Sequence, residues 1–197
     1  MNRWLRCAVV CGAAPLAVGV AVFLVWLLTR WNWLMFAGIL TIYGGLAVVA
    51  VGAASLVVFV WKSLRAGQLH RKLVTQRALA VGGLLLLNFA VAAAMVASVI
   101  YIETRYIVTV VNHSSVEVRS FVVSGGGVTI DVGTLAPGSE ARRVFFIEHD
   151  GVLKGEGMQD GRRVEGIIEG YVTNSMGGNK LVKITPDGTL DVTDKRR

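Results

Sequence analysis

Residues 78–102 read ALAVGGLLLLNFAVAAAMVASVIYI, and residues 103–112 follow without a spacer as ETRYIVTVVN. The first stretch has 25 residues and no charge. A helix rising about 1.5 Å per residue needs about 20 residues to cross a hydrocarbon core of about 30 Å, so it is long enough to span. The second stretch opens on charge and continues in β-branched residues, the composition of a strand. The chain changes its rules at residue 103, which divides it into a helical domain, 1–102, and a β domain, 103–197.

Two more charge-free apolar runs precede the junction, at about 7–29 and 33–61. The expected architecture is therefore three transmembrane helices followed by an all-β domain. The second run is long enough to tilt or to extend beyond the bilayer. Residues 1–102 carry eight Lys or Arg and no acid; residues 103–197 carry twelve Lys or Arg and all thirteen acids. The net charge of +7 is thus +8 on the first half and −1 on the second. A pI near 9.9 raises nucleic acid as a partner. Here the excess sits between apolar runs, without aromatic interleaving or a binding motif, so no nucleic-acid partner is expected.

The basic residues set an orientation by the positive-inside rule. Arg3 and Arg6 precede the first run, and the basic loop 62–77 holds Lys62, Arg65, Arg71, Lys72 and Arg77, with His70 and interleaved Leu64, Leu69 and Leu73. Only Arg30 lies between runs one and two. The N-terminus and this loop are expected in the cytoplasm, with the β domain periplasmic or extracellular. The loop would be a helical extension lying near anionic headgroups, or simply a positive-inside anchor. Trp4 and Trp61 would mark the inner boundary; Trp26, Trp31, Trp33 and Tyr101 the outer one. The first run is too long for a cleaved signal peptide and lacks a small-x-small site, and Cys11 lies before its apolar stretch rather than after it, so an uncleaved helix is expected.

Small residues recur every seven positions: Gly12 and Gly19; Gly38, Gly45 and Gly52; Gly83, Ala90 and Ala97. That spacing keeps them on one helix face, and small residues let helices approach in lipid. They form either a tight bundle or a face for a partner helix; chance in an Ala- and Gly-rich chain is the competing explanation. With Asn88 they are the candidate partner-binding residues. Asn88 is the mid-helix polar group that can bond across a helix interface or to its own helix. The other intramembrane polar residues are Thr41, Tyr43, Ser55 and Ser98. None carries a charge at neutral pH, which argues against a pump or an ion-coupled transporter. Cys7 and Cys11 share a helix face but have no companion ligand, and they read as two apolar thiols.

In the second half eight strands are expected, near 105–111, 116–123, 128–132, 141–148, 152–159, 163–173, 180–185 and 189–193. Turn chemistry separates them, including Asp160-Gly161 and Pro186-Asp187-Gly188. Strands at that spacing argue for a β-sandwich that, lacking Cys, must fold on its core alone. The runs IVTVVNHSS (107–115), VGTLAPG (132–138) and GYVT (170–173) resemble the immunoglobulin-like sandwiches of bacterial cell-envelope proteins. In those domains a first strand ends at Asn-x-Ser and a Leu-x-Pro-Gly turn leads into an edge strand. The likeness spans about half the chain, lacks the Cys…Trp…Cys core of antibody domains, and implies adhesion or scaffolding by analogy.

Site chemistry is sparse. Glu148-His149-Asp150 offers ligand types in a turn, and His113 could join them only if the fold brought it there. Asp187, Asp191 and Asp194 lack EF-hand spacing. Ser124 before three glycines lacks a base, and Gly125, Gly126 and Gly127 read as a flexible loop. Arg142-Arg143 and Arg162-Arg163 read as charge protecting edge strands, beside the basic end Lys195-Arg196-Arg197. Asn112-His113-Ser114 matches a glycosylation acceptor. No catalytic residue, metal or cofactor is expected. The expected protein is a non-enzymatic inner-membrane accessory or assembly subunit that binds and positions a partner membrane protein. The alternative is a stand-alone receptor or immunity-type protein that binds a soluble ligand.

Overall fold

The computed structural model describes residues 2–65 and 71–195. His70 and Leu69, and Arg196 and Arg197 of the basic C-terminal end, lie outside the described residues. Two compact units emerge, Met1–Ser98 and Val99–Arg197.

The first unit is built from α1 (Arg3–Thr29), α2 (Trp33–Arg65) and α3 (Arg71–Glu103), whose last five residues belong to the second unit. All three are long and apolar enough to cross a membrane. The helices run further than the apolar stretches: α2 continues through Lys62 and Arg65, and α3 begins at Arg71 rather than at 78. Lys and Arg are good helix formers, and their stems can reach the interface from a buried backbone. At 33 residues each, α2 and α3 are about 50 Å long, well over a hydrocarbon core of about 30 Å. Asn2 caps α1, its side chain accepting from the Trp4 amide. Arg30, in the left-handed region at φ 54°, ends it.

Core packing is concentrated toward one end of the bundle. Leu5 and Ala8 of α1, Val49 and Phe59 of α2, and Val74, Val81 and Leu85 of α3 form one buried cluster. Gly12 lets Leu84 and Leu85 come within 3.1 and 3.4 Å of where its Cβ would be. No residue of α3 between 86 and 98 is buried.

The second unit contains β1 (Arg105–Asn112), β2 (Val118–Gly125), β3 (Val128–Leu135), β4 (Glu140–Phe146), β5 (Gly151–Gln159), β6 (Arg162–Val172), β7 (Gly178–Ile184) and β8 (Leu190–Asp194). All eight expected strands form. They make two four-stranded sheets, ordered β4-β1-β7-β8 and β3-β2-β5-β6. Every pair is antiparallel except β1–β7. Tyr106, Val108 and Val110 of β1 face Phe121, Val123, Leu153, Val164 and Ile168 of the other sheet in one apolar core. Gly155 and Gly157 are required there, because a Cβ would lie 2.8 and 3.0 Å from the Phe121 ring.

Asp160 (φ 49°) and Gly161 (φ 72°) form the two-residue link between β5 and β6, the paired positive φ of a type I′ hairpin. The glycine run corrects the sequence expectation. Gly126 and Gly127 form a tight β2–β3 turn whose Gly126 carbonyl accepts from the Glu148 and His149 amides, both at 2.9 Å. A Cβ on Gly125 would lie 1.9 Å from the Val152 carbonyl oxygen. Close backbone approach, rather than flexibility, explains these glycines.

Candidate functional site

The helix face is the first candidate. A Cβ on Gly45 would lie 3.3 Å from Pro15 of α1, and one on Gly52 would lie 2.8 and 3.0 Å from Cys11 and Leu85. Both glycines sit where neighbouring helices approach closely. Among the described residues nothing would lie within 4 Å of a Cβ on Gly38 or Gly83, and Ala90 and Ala97 are exposed. The heptad spacing thus groups residues that serve different surfaces. Asn88 donates to the Gly12 carbonyl of α1 at 2.9 Å and to its own-helix Leu84 carbonyl at 3.1 Å. Both bonds form, so its amide is used inside the chain.

Three of the four remaining intramembrane polar groups have partners, and Tyr43 is exposed. Thr41 and Ser98 donate to carbonyls one turn back, and Ser55 donates to Cys7 Sγ at 3.5 Å. Cys7 and Cys11 lie 4.0 Å apart in partial burial. Trp4 is flanked by Arg3 and Lys62, and Trp61 by Arg65, as residues at a boundary would be. Trp26 differs: it is buried, with the Arg30 guanidinium 4.6 Å from its ring.

In the second unit the sequence candidates separate. His113 follows β1 at its Asn112 end, whereas His149 follows β4, whose Phe146 pairs with Arg105 at the opposite end of β1. Eight strand residues, about 26 Å, lie between those ends. Asp150 is occupied structurally, accepting from the Tyr171 hydroxyl at 3.1 Å and the Asn174 amide at 3.2 Å. Asp187 accepts from the Thr185 hydroxyl, which with backbone bonds lowers its pKa. Asp191 pairs in register with Lys183, and Asp194 lies 2.7 Å from Lys180, so the three aspartates serve different contacts. Among the described residues no group of three His, Cys, Asp or Glu converges as for a metal.

Asn112 is fully buried. Its amide donates to the Val116 and Leu135 carbonyls at 2.8 and 2.9 Å, and its Oδ1 accepts from the Ser114 amide and hydroxyl at 2.9 and 2.7 Å. The Asn-His-Ser match is a corner that pins three segments. A glycan would need the amide nitrogen that this corner uses.

The seams between the sheets hold what sequence reasoning missed. Arg143 of β4 donates through Nε to the Asp131 carbonyl at 3.1 Å and through Nη2 to the Val132 carbonyl at 2.8 Å, both on β3. At the other seam, Lys180 of β7 meets Glu169 of β6 and Asp194 of β8, and the Tyr106 hydroxyl donates to Glu169 at 3.3 Å. Burial and the Glu169 charge push the Tyr106 phenol well above its ordinary range. Burial pulls the Lys180 ammonium down, but hydrogen bonds to Asp194 and Glu169 more than offset it. This arrangement joins the two sheets.

No protein-family model matches the chain, and no curated protein matches it. Among solved structures, the NMR structure of a protein from Eubacterium rectale is similar at 15% identity, over 48% of this chain and 92% of that one, with a TM-score of 0.33. A likeness of that size carries neither fold type nor function to this chain.

Proposed function

We propose that the protein is a non-enzymatic accessory or assembly subunit of the inner membrane. It would hold a partner membrane protein against the outer face of α3 while the β domain serves as a second contact on the exported side. The observation that carries this reading is the division of labour among small residues. Gly12, Gly45 and Gly52 are used within the bundle, whereas Gly83, Ala90 and Ala97 of α3 are left open. In lipid, close packing rather than hydrophobic exclusion drives helix association, so an open small-residue face suits a neighbouring helix. The basic residues at the Arg3 end favour a cytoplasmic N-terminus and export of the β domain.

Immunoglobulin-likeness enters only through two packed sheets. The observed orders, with a parallel β1–β7 pair, are not the 1-2-5-4 and 3-6-7 of constant-type domains. The self-contained core of the second unit favours the alternative of a membrane-anchored receptor for a soluble ligand.

A pull-down of the full chain in mild detergent distinguishes them. Stoichiometric recovery of a membrane protein, lost in Ala90→Leu while the chain stays folded, supports the accessory reading. Recovery of the chain alone rejects it. Gly45→Leu is less informative, because Gly45 packs on Pro15 within the bundle.

A further inference from the structure

A furrow of about 310 Å³ lies between α1 and α3, lined by Leu5 and Val9 on one side and Arg77, Ala80 and Val81 on the other. Leu5 and Val9 are four apart, and Arg77, Ala80 and Val81 are spaced i, i+3, i+4, so each set forms one helix face. Four of the five residues are apolar. Arg77 is the exception, and it makes no hydrogen bond or ion pair among the described residues. It sits six residues into α3, about 9 Å along the helix from Arg71.

The surroundings are of one sign. Arg3, Arg6, Lys62, Arg65, Arg71, Lys72 and Arg77 belong to this end of the bundle, and no acid occurs among residues 1–102. Arg77 is exposed and directly precedes the charge-free run 78–102, a border where an arginine is satisfied by an opposite charge or by the interface. Residues 1–102 offer no acid to meet it. The rest of the furrow's lining, Leu5, Val9, Ala80 and Val81, is apolar.

We propose that this furrow binds one anionic phospholipid, its acyl chain lying on Leu5, Val9, Ala80 and Val81 and its phosphate paired with Arg77. The shape supplies the chain site and Arg77 the charge complement; a basic pocket between membrane helices suits an anionic headgroup. Arginine also fits a phosphate with two parallel donors, which a lysine cannot do. The site is independent of the partner-binding reading, since it lies between α1 and α3 rather than on the open face of α3.

Native mass spectrometry of the full chain in mild non-ionic detergent tests this, using phosphatidylglycerol and phosphatidylcholine of identical acyl chains. One phosphatidylglycerol should bind per chain, about fivefold more tightly than phosphatidylcholine, as expected for one added basic contact near the headgroup. Arg77→Gln should erase that preference, and Arg77→Lys should keep much of it. Ala80→Trp fills the furrow and should weaken both lipids. Circular dichroism confirms that each variant remains helical. Equal affinity of the wild-type chain for the two lipids overturns the proposal, as does an unchanged preference in Arg77→Gln. Unaltered binding in Ala80→Trp places the lipid elsewhere. Displacement of the lipid by glycerol phosphate would mean that the headgroup alone is read, which also overturns the acyl site.

Discussion

Lys180 of one sheet lies 2.5 Å from Glu169 of the other, with side chains only 14% and 24% exposed. This pair ties β6 to β7 across a seam that backbone hydrogen bonds do not bridge. Asp194 completes it from β8, and the Tyr106 hydroxyl reaches Glu169 from within the core. Half-buried ions are tolerated only when paired, so each member depends on the others.

Removing one ion should therefore harm more than removing two. Lys180→Met leaves Glu169 without its cation, and about 1–3 kcal/mol of stability should be lost. The double variant Lys180→Met with Glu169→Gln should recover part of that loss. A double-mutant cycle on urea unfolding of the full chain in detergent reads the coupling; additive losses would deny that the seam acts as a unit.

The same cluster sets an alkaline limit. The folded-state pKa of both Lys180 and Tyr106 lies above its ordinary value, 10.5 and 10.0 respectively. The folded chain therefore holds protons that the unfolded chain releases. Their contribution to stability is complete below those ordinary values and falls as pH rises beyond about 10. Tyr106→Phe should reduce the slope of that fall. An identical slope in unfolding curves from pH 9 to 11 would place the cause elsewhere.

Two glycines of the seven-residue pattern should behave oppositely. Gly52→Leu drives a side chain into Cys11 and Leu85, and overpacking of this kind costs about 1–3 kcal/mol. A Cβ at Gly83 would meet nothing within 4 Å, so Gly83→Leu should leave the thermal midpoint in detergent unchanged. A similar loss at both positions would contradict the division between bundle and open face.

Asn112→Asp replaces two donors with acceptors that face the Val116 and Leu135 carbonyls. A loss of about 3 kcal/mol or more is expected, from two broken bonds and an unpaired buried charge. Ser114→Ala removes one hydroxyl and should cost about 1 kcal/mol. Urea midpoints of the full-length variants give the ranking, and a larger effect at Ser114 would reverse it.

The strands were legible because their turns carry chemistry of their own. Asp160-Gly161 specifies a hairpin locally, and β-branched runs fill the spaces between turns. The helix ends were less legible, because a charge can end an apolar run without ending its helix, as Lys62 and Arg71 show. Glycine was ambiguous in both units. Spacing put Gly45, Gly52 and Gly83 in similar patterns, but only neighbouring helices decide which is covered. For Gly125 the deciding atom is the Val152 carbonyl oxygen, 27 positions away in the chain. The Lys180–Glu169 contact crosses between sheets, and no local pattern encodes it. Asn112 appeared as a modification signal because three residues cannot reveal burial.

Arg143 bears on how this protein can assemble. An edge strand with free carbonyls is a template on which a strand from another molecule can grow, the route to open-ended stacking. On β3 the carbonyls of Asp131 and Val132 already accept from the Arg143 guanidinium. That stretch of the edge is closed to strand addition. A neighbour at this seam must therefore grip side chains or turns instead of extending the sheet, which favours assemblies of fixed size over fibres.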